Sequence, residues 1–155
     1  MTANGPLLIA YDGSPTARTT IDTAAHLHPG ATAVVLYARQ PLESLAAHLE
    51  GHPALEDLRG VDQASLDASE RLAAEGAELA RKAGLTAEPR VASTMATAAE
   101  AIIDAAQEMQ ARLVVIGSRG RRGLRAALLG STSTTVLHHT GRPVLVVPPD
   151  ERHAT

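Results

Sequence analysis

Three glycines and a hydroxyl residue in the last third of the chain have the spacing of a phosphate-binding loop. Gly117 and Gly120 are separated by two residues, nine residues follow, and Gly130 directly precedes Ser131. Glycine allows a ligand to approach the backbone closely. The first N–H groups of a helix lack internal partners and lie at its positive end. A helix beginning near Ser131 is therefore predicted to bind phosphate.

Hydroxyl and guanidinium groups surround these glycines. Hydroxyls can donate hydrogen bonds to phosphate oxygens, and arginines supply positive charge. The arginines suit phosphate contact and a solvated loop face equally well: Arg119, Arg121, Arg122 and Arg125. The ligand-binding residues predicted in this segment are Gly117, Ser118, Arg119, Gly120, Gly130, Ser131, Thr132 and Ser133. The loop is neither a Walker A motif nor a dinucleotide fingerprint, because it lacks Gly-Lys-Ser/Thr and the G-x-G-x-x-G spacing.

Apolar runs alternate with helical patterns along the chain. Five strands are predicted at 7–11, 33–38, 85–91, 113–116 and 144–147, and helices at 15–28, 61–83, 98–109 and 131–139. The central runs are apolar throughout, which indicates a parallel sheet covered by helices on both faces. We expect one α/β domain over residues 1–155, with an ordered core at about 6–149.

Local signals predict where the helices begin. Ser14 can cap the first helix, Thr97 and Glu100 match a capping box, and Ser131 is expected to cap the last helix. Residues 39–60 are the hardest to interpret, although 42–50 could form a short helix. Any long element there is expected to be interrupted by Pro41, Gly51, Pro53 and Gly60.

Composition narrows the classes of function. Cysteine is absent from the 155 residues, which excludes disulfides, thiol catalysis and thiolate metal sites. Phe and Trp are absent as well, so aromatic platforms for nucleic-acid bases are scarce. The net charge of -3 argues against general nucleic-acid or membrane binding. We see no signal peptide and no apolar stretch long enough to span a bilayer, and we expect a cytoplasmic location.

Several segments together resemble the universal stress protein family over nearly the whole chain. They are Tyr11-Asp12-Gly13-Ser14, Ala99-Glu100-Ala101-Ile102, Leu113-Val114-Val115-Ile116, Gly117-Ser118-Arg119-Gly120, Gly130-Ser131 and the ending Arg142-Pro143-Val144-Leu145-Val146-Val147. The family's nucleotide-binding branch has the pattern G-x2-G-x9-G-S/T, and every position of it is present here. The chain departs from the family pattern at Ala96-Thr97-Ala98, where many members have Gly-x-Pro before the third helix. The capping box of Thr97 and Glu100 can begin the helix in its place.

The resemblance implies a five-stranded parallel sheet in the order 3-2-1-4-5, an ATP site and a homodimer. In that order the direction of strand addition reverses between the first and fourth strands. Ligands of such sheets bind in the crevice at this point, beyond the carboxyl ends of the strands. Asp12 and Gly117 would both lie at this crevice, and Gly13 and Ser14 follow Asp12 directly. Asp12 could also simply shape the turn. In the family, the residue ending the second strand meets adenine through its backbone, and here that residue is Ala38.

We therefore expect an ATP-binding regulatory module, with Mg²⁺ held mainly by the nucleotide phosphates. The alternatives are a slow ATPase on the same fold and a nucleotide-independent dimeric interaction protein. An efficient phosphotransfer enzyme is not expected, because the only lysine, Lys82, lies far from the loop in the sequence pattern. His48 and His52 have the spacing of helical metal ligands, but Gly51 and Pro53 interrupt that helix, so no metal site is predicted.

The fifth strand, Val144–Val147, is predicted to form the homodimer. In the order 3-2-1-4-5 it lies at the sheet edge, and it is short, apolar and uncharged. Such an edge is prone to pair with another strand. The polar tail at 150–155 looks too short to cover it, so we expect antiparallel pairing with a second copy of the chain.

Overall fold

A computed structural model describes residues 4–42, 49–119 and 129–150. In these ranges strands and helices alternate: β1 (Leu7–Ala10), α1 (Pro15–Leu27), β2 (Thr32–Arg39), α2 (Ala54–Lys82), β3 (Thr86–Ser93), α3 (Ala98–Glu108), β4 (Leu113–Gly117), α4 (Ser131–His139) and β5 (Val144–Val147). None of these helices is both long and apolar enough to cross a bilayer.

The five strands form one parallel sheet in the order β3-β2-β1-β4-β5, as predicted. Alternate residues of β1 face opposite sides of the sheet. Ile9 packs with residues of α1 and α2 on one face, and Leu8 packs with residues of α3 and α4 on the other. Both β1 side chains are fully buried. The predicted sheet with helices on both faces is confirmed.

Side chains cap two helices as the sequence predicts. The Ala17 N–H donates to Ser14 Oγ at 3.1 Å at the start of α1. At α3, Thr97 and Glu100 form both bonds of the capping box. The prediction that Ser131 caps α4 is wrong, because Gly130 has the extended conformation of the N-cap and its carbonyl accepts from the Thr134 N–H at 3.0 Å.

Helix α2 is longer than predicted. It begins at Ala54 rather than at 61 and continues through Gly60. A glycine inside a helix costs only about 1 kcal/mol, and the carboxylates of Glu56 and Asp57 suit the positive end of the helix. Gly60 therefore does not break the helix. Of the suggested short helix at 42–50, residues 43–48 lie outside the described residues.

An ion pair attaches the first half of α2 to the sheet. Asp62 Oδ1 accepts from Arg39 Nη2 at 2.5 Å and from the Leu42 N–H at 2.9 Å. The Leu42 N–H, and after it the Arg39 guanidinium, lower the pKa of Asp62 below its ordinary value. This contact joins the end of β2 to a helix that begins fifteen residues later (39 to 54).

Candidate functional site

A cavity of about 580 Å³ opens at the carboxyl ends of β1 and β4. Pockets of this size hold small organic ligands. The cavity lies between β1 and β4, where the direction of strand addition to the sheet reverses, as expected for a ligand site in an open α/β sheet. Its aliphatic lining consists of Ala10, Ala17, Leu36, Ala38, Ala98, Ile102 and Ile116. The rest of the described lining consists of Tyr11, Asp12, Tyr37, Gly117, Arg119, Gly130, Ser131, Thr132 and Ser133.

The cavity brings together most of the residues predicted from the sequence. Those that line it are Asp12, Ala38, Gly117, Arg119, Gly130, Ser131, Thr132 and Ser133. Gly13, Ser14 and Ser118 are close in sequence but are not part of the lining. The predicted ligand residue Gly120 lies outside the described residues, as do Arg121, Arg122 and Arg125, for which phosphate contact and a solvated loop face were equally plausible.

Gly13 and Ser14 shape the turn that holds Asp12 at the edge of the cavity. The Ser14 N–H donates to Asp12 Oδ1 at 2.9 Å. Gly13 has a φ of +81°, which favours glycine. The Ser14 hydroxyl in turn caps α1. The Asp12 carboxylate is thus fixed by the start of this helix, so both readings of Asp12, turn former and ligand contact, fit its position.

The two ends of the glycine-rich segment are joined by hydrogen bonds. The Ser118 N–H donates to the Val147 carbonyl, and the Gly130 N–H donates to the Ser118 carbonyl, both at 2.8 Å. The buried Ser133 hydroxyl donates to the Gly117 carbonyl at 2.6 Å. Ser133 therefore uses its proton to hold the start of α4 beside the end of β4.

Gly117 is required for packing at this junction. A Cβ atom at Gly117 would lie 2.8 Å from Thr16 Cγ2 and 3.1 Å from the Arg119 carbonyl oxygen. Such distances are shorter than van der Waals contact, so a side chain here would displace α1. The glycine allows this helix to approach the end of β4, and thereby brings Ala17 to the wall of the cavity.

The helices that border the cavity differ in how their N-termini are capped. Ser14 caps α1, and Thr97 caps α3. Helix α4 has Gly130 at its N-cap and no side-chain hydrogen bond there. Its first turn, residues 131–133, lines the cavity. The backbone donors at the positive end of α4 therefore have no capping side chain and adjoin the open space.

Tyr11 also lines the cavity, although the sequence did not predict it as a ligand residue. Its ring is 3% exposed, and its hydroxyl donates to Glu75 Oε1 of α2 at 2.7 Å. Arg18 of α1 pairs with the same carboxylate at 3.0 Å. Tyr11 thus joins α1 and α2 to the residue before Asp12. The sequence feature that could have indicated Tyr11 is its position directly before Asp12 in the Tyr-Asp-Gly-Ser segment.

Burial, and then the Glu75 carboxylate, raise the pKa of Tyr11 from 10.0 to about 12. A tyrosine with a raised folded-state pKa stabilises the fold below pH 10, and this contribution is lost as the pH rises through about 12. We expect absorbance titration of the Tyr37→Phe variant, whose only tyrosine is Tyr11, to show this high pKa. Adding Glu75→Gln should lower it. A midpoint near 10 in Tyr37→Phe would contradict the contact.

Metal ligands are not clustered in the described part of the chain. Residues 4–42, 49–119 and 129–150 contain no group of three or more histidine or carboxylate side chains arranged to hold an ion. His52 Nδ1 accepts from the Ala54 N–H at 3.0 Å and so serves the start of α2. His48 lies outside the described residues.

Curated relatives were found over part or most of the chain. Residues 4–148 match the family model described as Universal stress protein family. A universal stress protein of Mycobacterium bovis is 32% identical over 151 residues, which cover 92% of this chain and 45% of the relative. Universal stress protein E of Salmonella typhi is 48% identical over 52 residues, covering 34% of this chain and 16% of the relative. The chain thus spans less than half the length of these relatives.

Solved structures share the fold over almost all of this chain. The universal stress protein of Archaeoglobus fulgidus in complex with dAMP has a TM-score of 0.63 and 21% identity, covering 92% of this chain and 97% of that one. A universal stress protein in complex with cAMP has a TM-score of 0.64 and 23% identity, covering 96% and 100%. Together with the match over residues 4–148, this fold shows that the chain belongs to the universal stress protein family.

Proposed function

We propose that this chain binds ATP in the cavity, as a member of the nucleotide-binding branch of its family. One observation carries the proposal: the N-terminus of α4, without a capping side chain, adjoins a cavity large enough for a small ligand. Phosphate groups bind at such helix N-termini. The complexes of family members with dAMP and cAMP support an adenine nucleotide as the ligand class.

The cavity offers both kinds of surface that a nucleotide needs, apolar side chains and backbone donors. Leu36, Ile102 and Ile116 provide aliphatic surface on which a base can be buried. In our proposal the base meets the backbone of Ala38, and the phosphates lie at Gly130 and the first turn of α4. The motif of glycines followed by Ser131 supports ATP as the ligand.

We propose that Mg²⁺ enters the site with the nucleotide phosphates. Among the described residues that line the cavity, Asp12 is the only carboxylate. Mg²⁺ commonly binds through one or two carboxylates together with substrate phosphates and waters. Asp12 has one oxygen bonded to the Ser14 N–H. The same lining contains no lysine, and we therefore propose a regulatory binding module rather than an efficient phosphotransfer enzyme.

Calorimetric titration tests nucleotide binding and its metal dependence. We expect ATP to bind more tightly with Mg²⁺ than with a chelator, because the ion offsets repulsion between the phosphates and Asp12. Titrations with AMP and cAMP measure what the additional phosphates contribute. Failure of all three nucleotides to bind would refute the site. Tight Mg²⁺ binding by the nucleotide-free protein would refute the proposed role of the metal.

The molecule purified with the protein provides an independent test. Mass spectrometry of the small molecules released on denaturation should detect an adenine nucleotide if the cavity is occupied in cells. A turnover assay with the same preparation addresses the enzyme alternative. We expect release of phosphate from ATP to be slow or absent, and rapid turnover would contradict the proposed regulatory role.

We further propose a homodimer through β5, which is an edge strand of the sheet. The Val114 N–H donates to the Pro143 carbonyl and the Ser118 N–H to the Val147 carbonyl, both towards β4. Successive carbonyls along a strand point to opposite sides, so the backbone groups of Val144 and Val146 point away from β4. These outward groups can pair with a second copy of the strand.

Replacing Val146 by proline is expected to produce monomers. Proline removes an outward N–H donor, and an edge strand tolerates this loss within its own sheet. Light scattering should detect a dimer for the parent protein and a monomer for the variant, with unchanged circular dichroism. Lysine at Val147 would be a poorer test, because this side chain is 3% exposed and belongs to the core. A parent protein that is monomeric at micromolar concentration would refute the dimer.

A further inference from the structure

Two arginines lie side by side at the amino ends of β4 and β5, away from the cavity. Arg112 immediately precedes β4, and Arg142 lies two residues before β5. The register pairs Val114 with Val144, so the two arginines occupy matching positions. Arg142 Nη1 donates to the Ala111 carbonyl at 2.9 Å. That carbonyl belongs to the peptide group that joins Ala111 to Arg112.

No acidic side chain in the described part of the chain neutralises this pair. The ion pairs there involve Arg18, Arg39, Arg59, Arg81 and Arg90. Neither Arg112 nor Arg142 forms one. Two adjacent positive charges repel each other. An anion bound between the two guanidinium groups would attract both of them and offset their mutual repulsion.

Polar atoms without partners are concentrated at the same place. Of the four buried side-chain polar atoms that lack a hydrogen-bond partner in the described part of the chain, three belong to Arg112, Thr140 and Arg142. The arginine atoms are the two Nε groups, although both residues remain partly exposed. Thr140, at the C-cap of α4, is only 6% exposed. Burial at Nε restricts each guanidinium before any ligand binds, which lowers the entropic cost of binding.

We propose that Arg112 and Arg142 form a second site, which binds the dianion of a phosphate group. Guanidinium groups present planar sets of N–H donors that match phosphate oxygens. Two guanidinium charges balance a dianion, whereas a carboxylate neutralises only one of them. The ligand is therefore inorganic phosphate or a phosphate monoester, which share this head group.

This site is separate from the cavity. Gly117 lines the cavity and lies five residues after Arg112 along β4. At about 3.3 Å per residue, the two places are about 16 Å apart, at opposite ends of the strand. The inference does not depend on nucleotide binding, and each site can be tested without the other.

Nuclear magnetic resonance of arginine Nε–H groups can test the second site with inorganic phosphate as the probe. We expect the signals of Arg112 and Arg142 to shift and saturate, while the signal of the exposed Arg71 on α2 does not. Arg119 reports separately on phosphate in the cavity. Acetate, a monoanion, should bind more weakly. If glycerol 1-phosphate also saturates the site, the ligand is a phosphorylated molecule, and if only the free ion does, it is inorganic phosphate.

Glutamine variants identify the residues responsible. Arg112→Gln and Arg142→Gln should each weaken phosphate binding about tenfold, the effect expected for loss of a charge-assisted hydrogen bond. Arg71→Gln is the matched control and should change nothing. If Arg112→Gln does not fold, Arg112→Lys retains the charge without the planar donors and should also weaken binding.

The competing explanation is that the two arginines only complement the negative C-termini of α3 and α4, which end shortly before them. In that case the glutamine variants would lose thermal stability while phosphate had no saturable effect on the parent protein. Shifts that grow linearly with phosphate, or that are equal at Arg71, would overturn the proposal.

Discussion

Replacing Gly130 by valine is expected to weaken ATP binding by at least about 100-fold, equivalent to about 2.7 kcal/mol. Gly130 lines the cavity and is the N-cap of α4. In the proposed complex, phosphate oxygens accept hydrogen bonds from the first turn of this helix. A branched side chain at the N-cap would occupy the space in front of those donors and exclude the phosphates.

The same substitution should leave the fold intact. Gly130 has φ -62° and ψ 158°, a conformation open to any residue. Among the described residues, a Cβ atom there would approach only the Ser118 carbonyl oxygen, at 3.4 Å, which is ordinary contact. Glycine at this position is therefore not needed for packing, in contrast to Gly117, where a Cβ atom would meet Thr16 at 2.8 Å.

Calorimetry with ATP and Mg²⁺, supported by circular dichroism, measures both effects. Gly60→Val is the matched control, because a Cβ atom at Gly60 would have no neighbour within 4 Å in the described part of the chain and the residue is not among the cavity's described lining. The control should bind ATP normally. If Gly130→Val binds ATP with the parent affinity, phosphates do not lie at the start of α4, and the proposed site is wrong.

Gly76→Val in α2 is expected to destabilise the fold by overpacking. A Cβ atom at Gly76 would lie 2.8 Å from the Tyr11 ring and 2.8 Å from Val35 Cγ1. Both neighbours are buried, so relief requires the helix to move away from the sheet. Overpacking of this kind costs up to about 3 kcal/mol, which would lower the Tm by about 10 °C in a chain of this size.

Thermal unfolding of Gly76→Val beside Gly60→Val isolates the effect of packing. Both substitutions place valine at a glycine of the same helix, and only Gly76 faces the core. The Gly60 variant should unfold close to the parent Tm. Equal Tm values for the two variants would contradict the close approach of α2 to Tyr11. A displaced Tyr11 should also lose its contact with Glu75 and titrate closer to pH 10.

Features that depend on a few neighbouring residues were predictable from the sequence. The caps formed by Ser14 and by Thr97 with Glu100 each join residues three positions apart, and both are confirmed. The apolar runs predicted the five strands, because a strand buried on both faces needs apolar residues throughout. The resemblance to a family supplied the strand order, and this order places Asp12 and the loop residues around one cavity.

Longer helices were less predictable, because contacts distant in sequence decided their ends. Gly60 signals a break, but Arg39 bonds to Asp62 across 23 residues and holds the first half of α2 in place. Similarly, Ser133 looks like a phosphate donor in the sequence. In the folded chain its hydroxyl donates to Gly117, 16 residues away.

The sequence by itself determined the succession of strands and helices along the chain and the caps of α1 and α3, because each depends on residues within a few positions of one another. Only the tertiary structure decided which glycines exclude a side chain, since Gly76 and Gly117 are restricted by Tyr11 and Thr16 from other elements. The pairing of Tyr11 with Glu75 across 64 residues also needed the folded chain. The physical reason is that packing and buried hydrogen bonds form between surfaces that meet only when helices and sheet assemble.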